Sequence, residues 1–348
     1  MKFFASDNNS GVHPLVLEAI QAANTGNVAS YGDDPFTREL EGRFKEVFGE
    51  GTRAFPVSNG TAANVVPMRA ALRPWEGVIC DFAGHINTDE CGALEAAGRK
   101  IYPVAGVNGK ITPELCAPLL RLRNGCHHVH PRMVYVTQST EFGTAYSVEE
   151  LKALSEFCRQ NDLLLHMDGS RLGNAAAHLN TSLRAISRDV GVDVLALGGT
   201  KNGLMGAEAV LFFNPDLAPD FELHRKQCLQ LMSKMRFVSA QLLALMNNEL
   251  WRQNASQANA ATRLLADRIQ GLPGLKFTRP VQVNAIFLRL PKAAAEKLLQ
   301  EYAISTWTDL PDTDEPIVAG PEMRIMTCFN TTEQQVEELA KAIAAALE

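Results

Sequence analysis

The sequence predicts an α/β fold, with a mostly parallel doubly wound sheet in a large domain and a smaller α+β C-terminal domain. Three observations lead there. Short apolar β-rich segments alternate with amphipathic helical segments over roughly the first 220 residues. Most of those strand segments are continuous apolar runs, which suits strands covered on both faces. The alternation then gives way to longer helices, and at 348 residues the chain exceeds one small domain.

The strand candidates in order are Arg53–Val57, Val78–Phe82, Ile101–Val104, Met133–Thr137, Leu163–Met167, Val194–Leu197 and Ala209–Phe213. Among the helical segments between them, Thr61–Leu72 follows a Ser-Asn-Gly turn. Ser147–Arg159 opens with a capping-box pattern, Ser147 as N-cap and Glu150 three residues on. Ser182–Val190 reads as the helix joining the fifth and sixth strands. Beyond Phe221 the pattern predicts helices over Phe221–Asn247 and Asn259–Gln270, a strand over Val283–Leu290 and a helix over Lys292–Tyr302. A strand over Met323–Thr327 and a terminal helix over Thr332–Leu347 follow. The first of these helices is expected to bridge an N-terminal segment (1–12) and large domain (13–245) to a small domain (246–348).

Composition narrows the function classes. The net charge of −6 comes without a basic stripe, which argues against nucleic acid. Seven cysteines, an odd number with no CxxC pair, argue against a disulfide framework and for a cytoplasmic setting. The N-terminus turns polar after five residues, too soon for a signal-peptide core, and no apolar run has membrane-spanning length.

Four segments carry candidate chemistry. In Leu195-Ala-Leu-Gly-Gly-Thr-Lys-Asn an apolar strand runs into two glycines and then Lys201. A Schiff-base lysine needs such a partly desolvated place, where its amine is free to attack an aldehyde. An ordinary loop lysine is an equal reading of this segment alone. In His166-Met-Asp-Gly-Ser-Arg, Asp168 ends a buried strand, where α/β folds place ligands. A carboxylate there can hold the ring nitrogen of pyridoxal 5′-phosphate protonated, and Arg171 can hold an oxygen of the cofactor or a substrate carboxylate. A helix N-cap is the competing reading of Asp168, and the combination with Lys201 outweighs it.

The turn Ser58-Asn-Gly-Thr-Ala-Ala-Asn leads from strand to helix. Gly60 and Thr61 could cradle a phosphate at the helix N-terminus, although the segment matches neither a Walker A loop nor GxGxxG. His85 follows another strand and could stack on the cofactor ring. His127, His128 and His130 lie close together, but without HExxH or Cys/His zinc spacing, so no metal is expected. Ser6-Asp-Asn-Asn and Tyr31-Gly-Asp-Asp read by themselves as loop and cap residues, and Arg324 faces either solvent or an interdomain cleft.

Taken in order, SDN, SYGDD, NGTAAN, H(x)3DE, HMDGSR and GGTKNG resemble the low-specificity L-threonine aldolases. These are fold-type-I pyridoxal-phosphate enzymes of the aldolase and β-eliminating lyase group. The resemblance spans nearly the whole chain. It implies that Lys201 is the Schiff-base lysine, Asp168 the pyridine-nitrogen partner, Arg171 a cofactor and substrate contact, and His85 the stacking ring. It further implies phosphate contacts from Gly60, Thr61 and Arg236, and substrate-carboxylate contacts from Ser6 and Arg324. His127 is implied to handle the proton of the substrate hydroxyl. Tyr31 is implied to reach a neighbouring subunit's site in a homo-oligomer, a dimer or tetramer. The expected reaction is retro-aldol cleavage of L-threonine, L-allo-threonine and phenylserine-like amino acids to glycine and an aldehyde, with β-elimination or transamination as the rival. The opening Asn8-Asn-Ser-Gly and the stretch Pro316–Glu322 depart from the family's usual sequence.

Overall fold

The computed structural model describes residues 1–217, 219–307 and 322–348. All seven expected strands form, and they make one sheet. Its strands, from edge to edge, are Arg53–Val57, Glu208–Phe212, Val194–Leu197, Leu164–Gly169, His130–Thr137, Glu76–Asp81 and Lys100–Val104. Among these strands, Glu208–Phe212 runs opposite to the other six.

The apolar runs are explained by what lies on each face. Val134, Val136, Leu165 and Met167 join one core cluster, while Met133, Tyr135 and Leu164 join another on the opposite side. Successive residues of a strand point to opposite faces, so a strand buried on both sides must be apolar throughout. Each such Leu or Val contributes about 1.5–3 kcal/mol when fully buried.

The order of the strands also creates a crevice. From Glu76–Asp81 the chain moves outward to Lys100–Val104, then crosses back to His130–Thr137 on the other side. The segments leaving the C-terminal ends of Glu76–Asp81 and His130–Thr137 therefore diverge, as α/β sheets do where they hold ligands.

Three helical expectations are corrected. Ser182–Val190 is not a helix and carries only a single 3-10 turn, Arg188–Val190. The helix in that connection is Leu172–His178, directly after the strand that ends in Asp168 and Gly169. Phe221–Asn247 is two helices, Phe221–Gln227 and Arg236–Met246. The break is local: Leu229 takes a left-handed φ of 65°, and Gln230 turns to accept the Ser58 backbone N–H and hydroxyl at 3.1 and 2.7 Å. Asn259–Gln270 is the second half of a longer helix, Leu250–Ile269. That helix packs on Leu172–His178 at one end and on the terminal helix Glu333–Leu347 at the other. By contrast, the Ser147–Glu150 capping box on Val148–Gln160 is present as expected.

A second, antiparallel sheet has the order Ser305–Trp307, Glu322–Met326, Ala285–Arg289, Lys276–Phe277. Ile286, Leu288 and Ile325 pack there against Leu265, Leu339 and Ile343 of the helices. The N-terminus joins this part, with Lys2–Phe3 pairing in parallel with Tyr302–Ala303. Residues 316–321 of the departing stretch lie outside the described residues.

Candidate active site

A cavity of about 540 Å³ opens at the C-terminal ends of the parallel strands. His85, Glu141, Arg171, Lys201, Arg324 and Ser6 are among the residues that line it. Most of them enter from loops after different strands, and Ser6 and Arg324 come from the N-terminal segment and the second sheet.

Asp168 is anchored deepest. It pairs in register with Thr137 and Ala196 of the flanking strands and is fully buried. Its Oδ2 accepts the Tyr135 hydroxyl at 2.7 Å and the Asn64 amide at 2.9 Å. Its Oδ1 accepts the Ser170 backbone N–H at 2.8 Å and the Ser170 hydroxyl at 2.6 Å. Burial alone would push the carboxyl's pKa up, but His85, Ser170, Lys201 and Asn64 outweigh it and hold it well below the carboxylate range. Asp168 thus stays ionised. Tyr135 stacks on His166, which burial holds neutral, down to about 4.

A second chain of bonds fixes His85. Its Nδ1 lies 2.8 Å from Glu90 Oε1, and the same oxygen accepts a hydrogen bond from Asn64 Nδ2 at 2.9 Å. Burial pulls the imidazole pKa down, but Glu90, Asp168 and Glu141 outweigh this and raise it. Asn64 therefore links both chains, sitting in the first turn and a half of Gly60–Ala71.

Lys201 lies in a 3-10 turn, Thr200–Asn202, just after Val194–Leu197. Buried Glu208 ties that turn down by accepting the Gly199 and Thr200 backbone N–H groups at 2.7 and 3.4 Å. The glycines before Lys201 are required by the protein's own packing. A Cβ on Gly198 would sit 2.5 Å from the Ser170 Cα, and one on Gly199 would sit 2.5 Å from the Ala207 carbonyl oxygen.

On the opposite wall, Arg171 makes a buried bidentate pair with Asp7, at 2.7 and 2.9 Å. Asn284 also donates to Asp7, at 3.1 Å. Arg324 reaches only the Ala5 carbonyl, at 3.2 Å, and lies over the Trp307 ring. Burial and the Arg171 charge both lower its pKa, and no acidic side chain pairs with it among the described residues. Ser6 caps the turn Asp7–Asn9 beside them, accepting the Asn8 backbone N–H at 3.2 Å. Two guanidinium groups, a hydroxyl and the Lys201 amine thus border one space, a setting that favours a carboxylate.

Residues 4–293 match the family profile described as beta-eliminating lyase. The chain belongs to the beta-eliminating lyase family. It is 39% identical to the low specificity L-threonine aldolase of Pseudomonas aeruginosa over 343 residues, covering 98% of this chain and 96% of that one. A low specificity L-threonine aldolase from another Pseudomonas strain is 38% identical over 347 residues, covering 99% and 97% of the two chains. The solved threonine aldolase of Leishmania major superposes with a TM-score of 0.93 at 28% identity, over the whole of both chains. The aspartate aminotransferase of Thermus thermophilus shares the fold, with a TM-score of 0.69 at 16% identity, covering 97% of this chain and 89% of that one. The architecture is that of fold-type-I enzymes, and the cofactor of this lyase is pyridoxal 5′-phosphate.

The residues of the lyase fit that cofactor. Lys201 offers an amine in the cavity and Asp168 an ionised carboxylate. Beside Gly60, at the N-terminus of its helix, an added Cβ would meet nothing within 4 Å, which leaves room for a phosphate.

Asp168, Gly60 and Thr61 are not among the residues that line the cavity, and three further expected site residues have other surroundings. His127 is exposed on the loop before His130–Thr137, at the N-terminal end of that strand. The site lies at the other end, roughly 23 Å of strand away, so His127 does not reach the substrate space of its own protomer. Arg236 spends its guanidinium on the carbonyls of Gly26 and Thr25, at 3.2 and 3.4 Å. Tyr31 is exposed, with the Lys226 ammonium over its ring at 4.6 Å. Conversely, Asp7, Glu90, Glu141 and Glu208 were not singled out from sequence as site residues. Glu141 had one available signal, its position just past a strand end at the switch point.

Proposed function

We propose that this lyase cleaves L-threonine, L-allo-threonine and other β-hydroxy-α-amino acids such as phenylserine, by a retro-aldol route, to glycine and an aldehyde. The observation that carries the reading is the cavity lined by Lys201, Arg171, Arg324 and Ser6, with the ionised carboxylate of Asp168 buried near enough for its charge to act on Lys201. The near full-length likeness to two low specificity L-threonine aldolases supports it.

Lys201 would hold the cofactor's aldehyde carbon, Asp168 its ring nitrogen and His85 the face of its ring. Gly60 and Thr61 would meet its phosphate. Bound there, the cofactor supplies an electron sink beside the substrate Cα. Arg324, Ser6 and Arg171 take the substrate carboxylate and so orient the bonds around Cα.

Tyr31 is assigned to the site of a neighbouring copy, which makes a homo-oligomer, dimer or tetramer, the working form, and the cytoplasm is its compartment. No helix of the described residues is long and apolar enough to cross a membrane. The chain divides into an N-terminal segment (1–12), a large domain (13–245) and a small domain (246–348). The φ of about +51° at Asn248 and Glu249 supports a break there.

Incubation with L-allo-threonine tests the activity. The expected products are glycine and acetaldehyde in equal amounts, and Lys201→Ala should abolish their release. A 2-oxo acid product would indicate β-elimination or transamination instead.

A further inference from the structure

Glu141 stands at the switch point of the sheet, just past His130–Thr137, and lines the cavity with His85, Arg171 and Lys201. Its Oε1 accepts the His85 backbone N–H at 3.1 Å and the Thr137 hydroxyl at 3.3 Å. Its Oε2 makes no hydrogen bond among the described residues. A glutamine carbonyl could accept both of those bonds, so neither requires a carboxyl group. Taking a carboxylate even partly out of water is costly, and among the described residues no side chain forms a direct ion pair with Glu141, although the charges of His85, Lys201 and Arg171 act on it.

We propose that Glu141 is the general base that takes the proton from the substrate β-hydroxyl as the Cα–Cβ bond breaks. This rests on the retro-aldol reading. The hydroxyl proton moves to the Glu141 carboxylate. The O–H electron pair becomes the second bond of the aldehyde C=O, and the Cα–Cβ pair is left on Cα, toward the cofactor's ring. Glu141 then gives up the proton it took and one proton is returned to Cα to complete glycine, so glycine and aldehyde together contain every atom of the substrate.

The neighbouring groups are poorer bases. Asp168 already accepts four hydrogen bonds and is held ionised. His85 has its Nδ1 committed to Glu90, and the carboxylates around it favour the charged ring, which has no lone pair to offer. Burial and the Asp168 charge push the Glu141 pKa up, further than His85, Lys201 and Arg171 pull it down. Two carboxyl groups in one site are thus driven apart in basicity, the usual mark of divided roles. Among the described residues, the charged and titratable groups around Glu141 are His85, Asp89, Asp168, Arg171, Lys201, Arg324 and the Tyr135 phenol.

Glu141→Gln keeps both accepted hydrogen bonds and removes the base. With L-allo-threonine its kcat should fall roughly 100-fold or more, with KM little changed. The rise of wild-type kcat with pH through the glutamate's titration should disappear, and Glu141→Asp should recover part of the rate. Glycine titrated against the absorbance of the bound cofactor should give the wild-type dissociation constant in E141Q. A variant that keeps wild-type kcat overturns the proposal. So does one that loses glycine binding in step with turnover, because Glu141 would then be a structural group. A wild-type enzyme that yields a 2-oxo acid overturns the retro-aldol reading instead, which is a separable result.

Discussion

Asp7 shows how much one side chain can hold in place. From sequence it was a polar loop residue near the N-terminus, yet it is buried and pairs bidentately with Arg171. Burial would raise its pKa, but Arg171, Lys201 and Asn284 overcome this and leave it below its ordinary 3.8. The pair therefore stabilises the fold above pH 3.8, and that contribution is lost as the pH falls through the lower folded value. Asp7→Asn should cost about 3–5 kcal/mol at neutral pH, because it leaves the Arg171 charge buried and unpaired. Its denaturation midpoint should also depend less on pH below about 4 than the wild type's. Urea unfolding over a pH series measures both effects. Lys201 and Asp168 were legible because each residue type stands just after an apolar strand. Asp7 was not, because its partner lies far along the chain and no local pattern encodes the pairing.

Among the elements, the turn that carries Lys201 is held by a residue of the next strand. Glu208→Ala would leave the buried Gly199 and Thr200 N–H groups without their acceptor. That should cost about 1–3 kcal/mol and lower the occupancy of Lys201 by cofactor, read by absorbance titration. Ser147→Ala removes half of a capping box on a helix away from the cavity. It should cost about 1 kcal/mol and leave kcat unchanged, as thermal unfolding beside turnover would show. The strands were legible because burial on both faces forces continuous apolar runs. The connections were less so. Leu172–His178 is seven residues long, and Gly173 and Asn174 in its first turn are poor helix formers. The break at Leu229–Gln230 is made by a distant bond to Ser58.

For the whole molecule, the assignment of Tyr31 to a neighbouring copy makes a direct prediction. Lys201→Ala and Tyr31→Ala should each be impaired alone. Refolded together, they should regain activity, because a mixed pair contains one site with both residues intact. Equal loss in the mixture and in the separate variants would place Tyr31 outside any shared site. His127 shows what the sequence left hidden at this scale. Three histidines close together look like a functional cluster, but only the parallel sheet reveals that they lie at the end opposite the cavity.

Asp7, Arg171 and Asn284 meet in one clasp although they are widely separated in sequence. During synthesis, Asp7 leaves the ribosome well before the strands of the central sheet, while Asn284 emerges only after that sheet is complete. The substrate wall can therefore close only once Asn284 has emerged. A nascent chain stalled before Asn284 could build its sheet and still lack a finished pocket, and any tag that pulls the N-terminus away would be felt at the reacting atoms rather than at the surface.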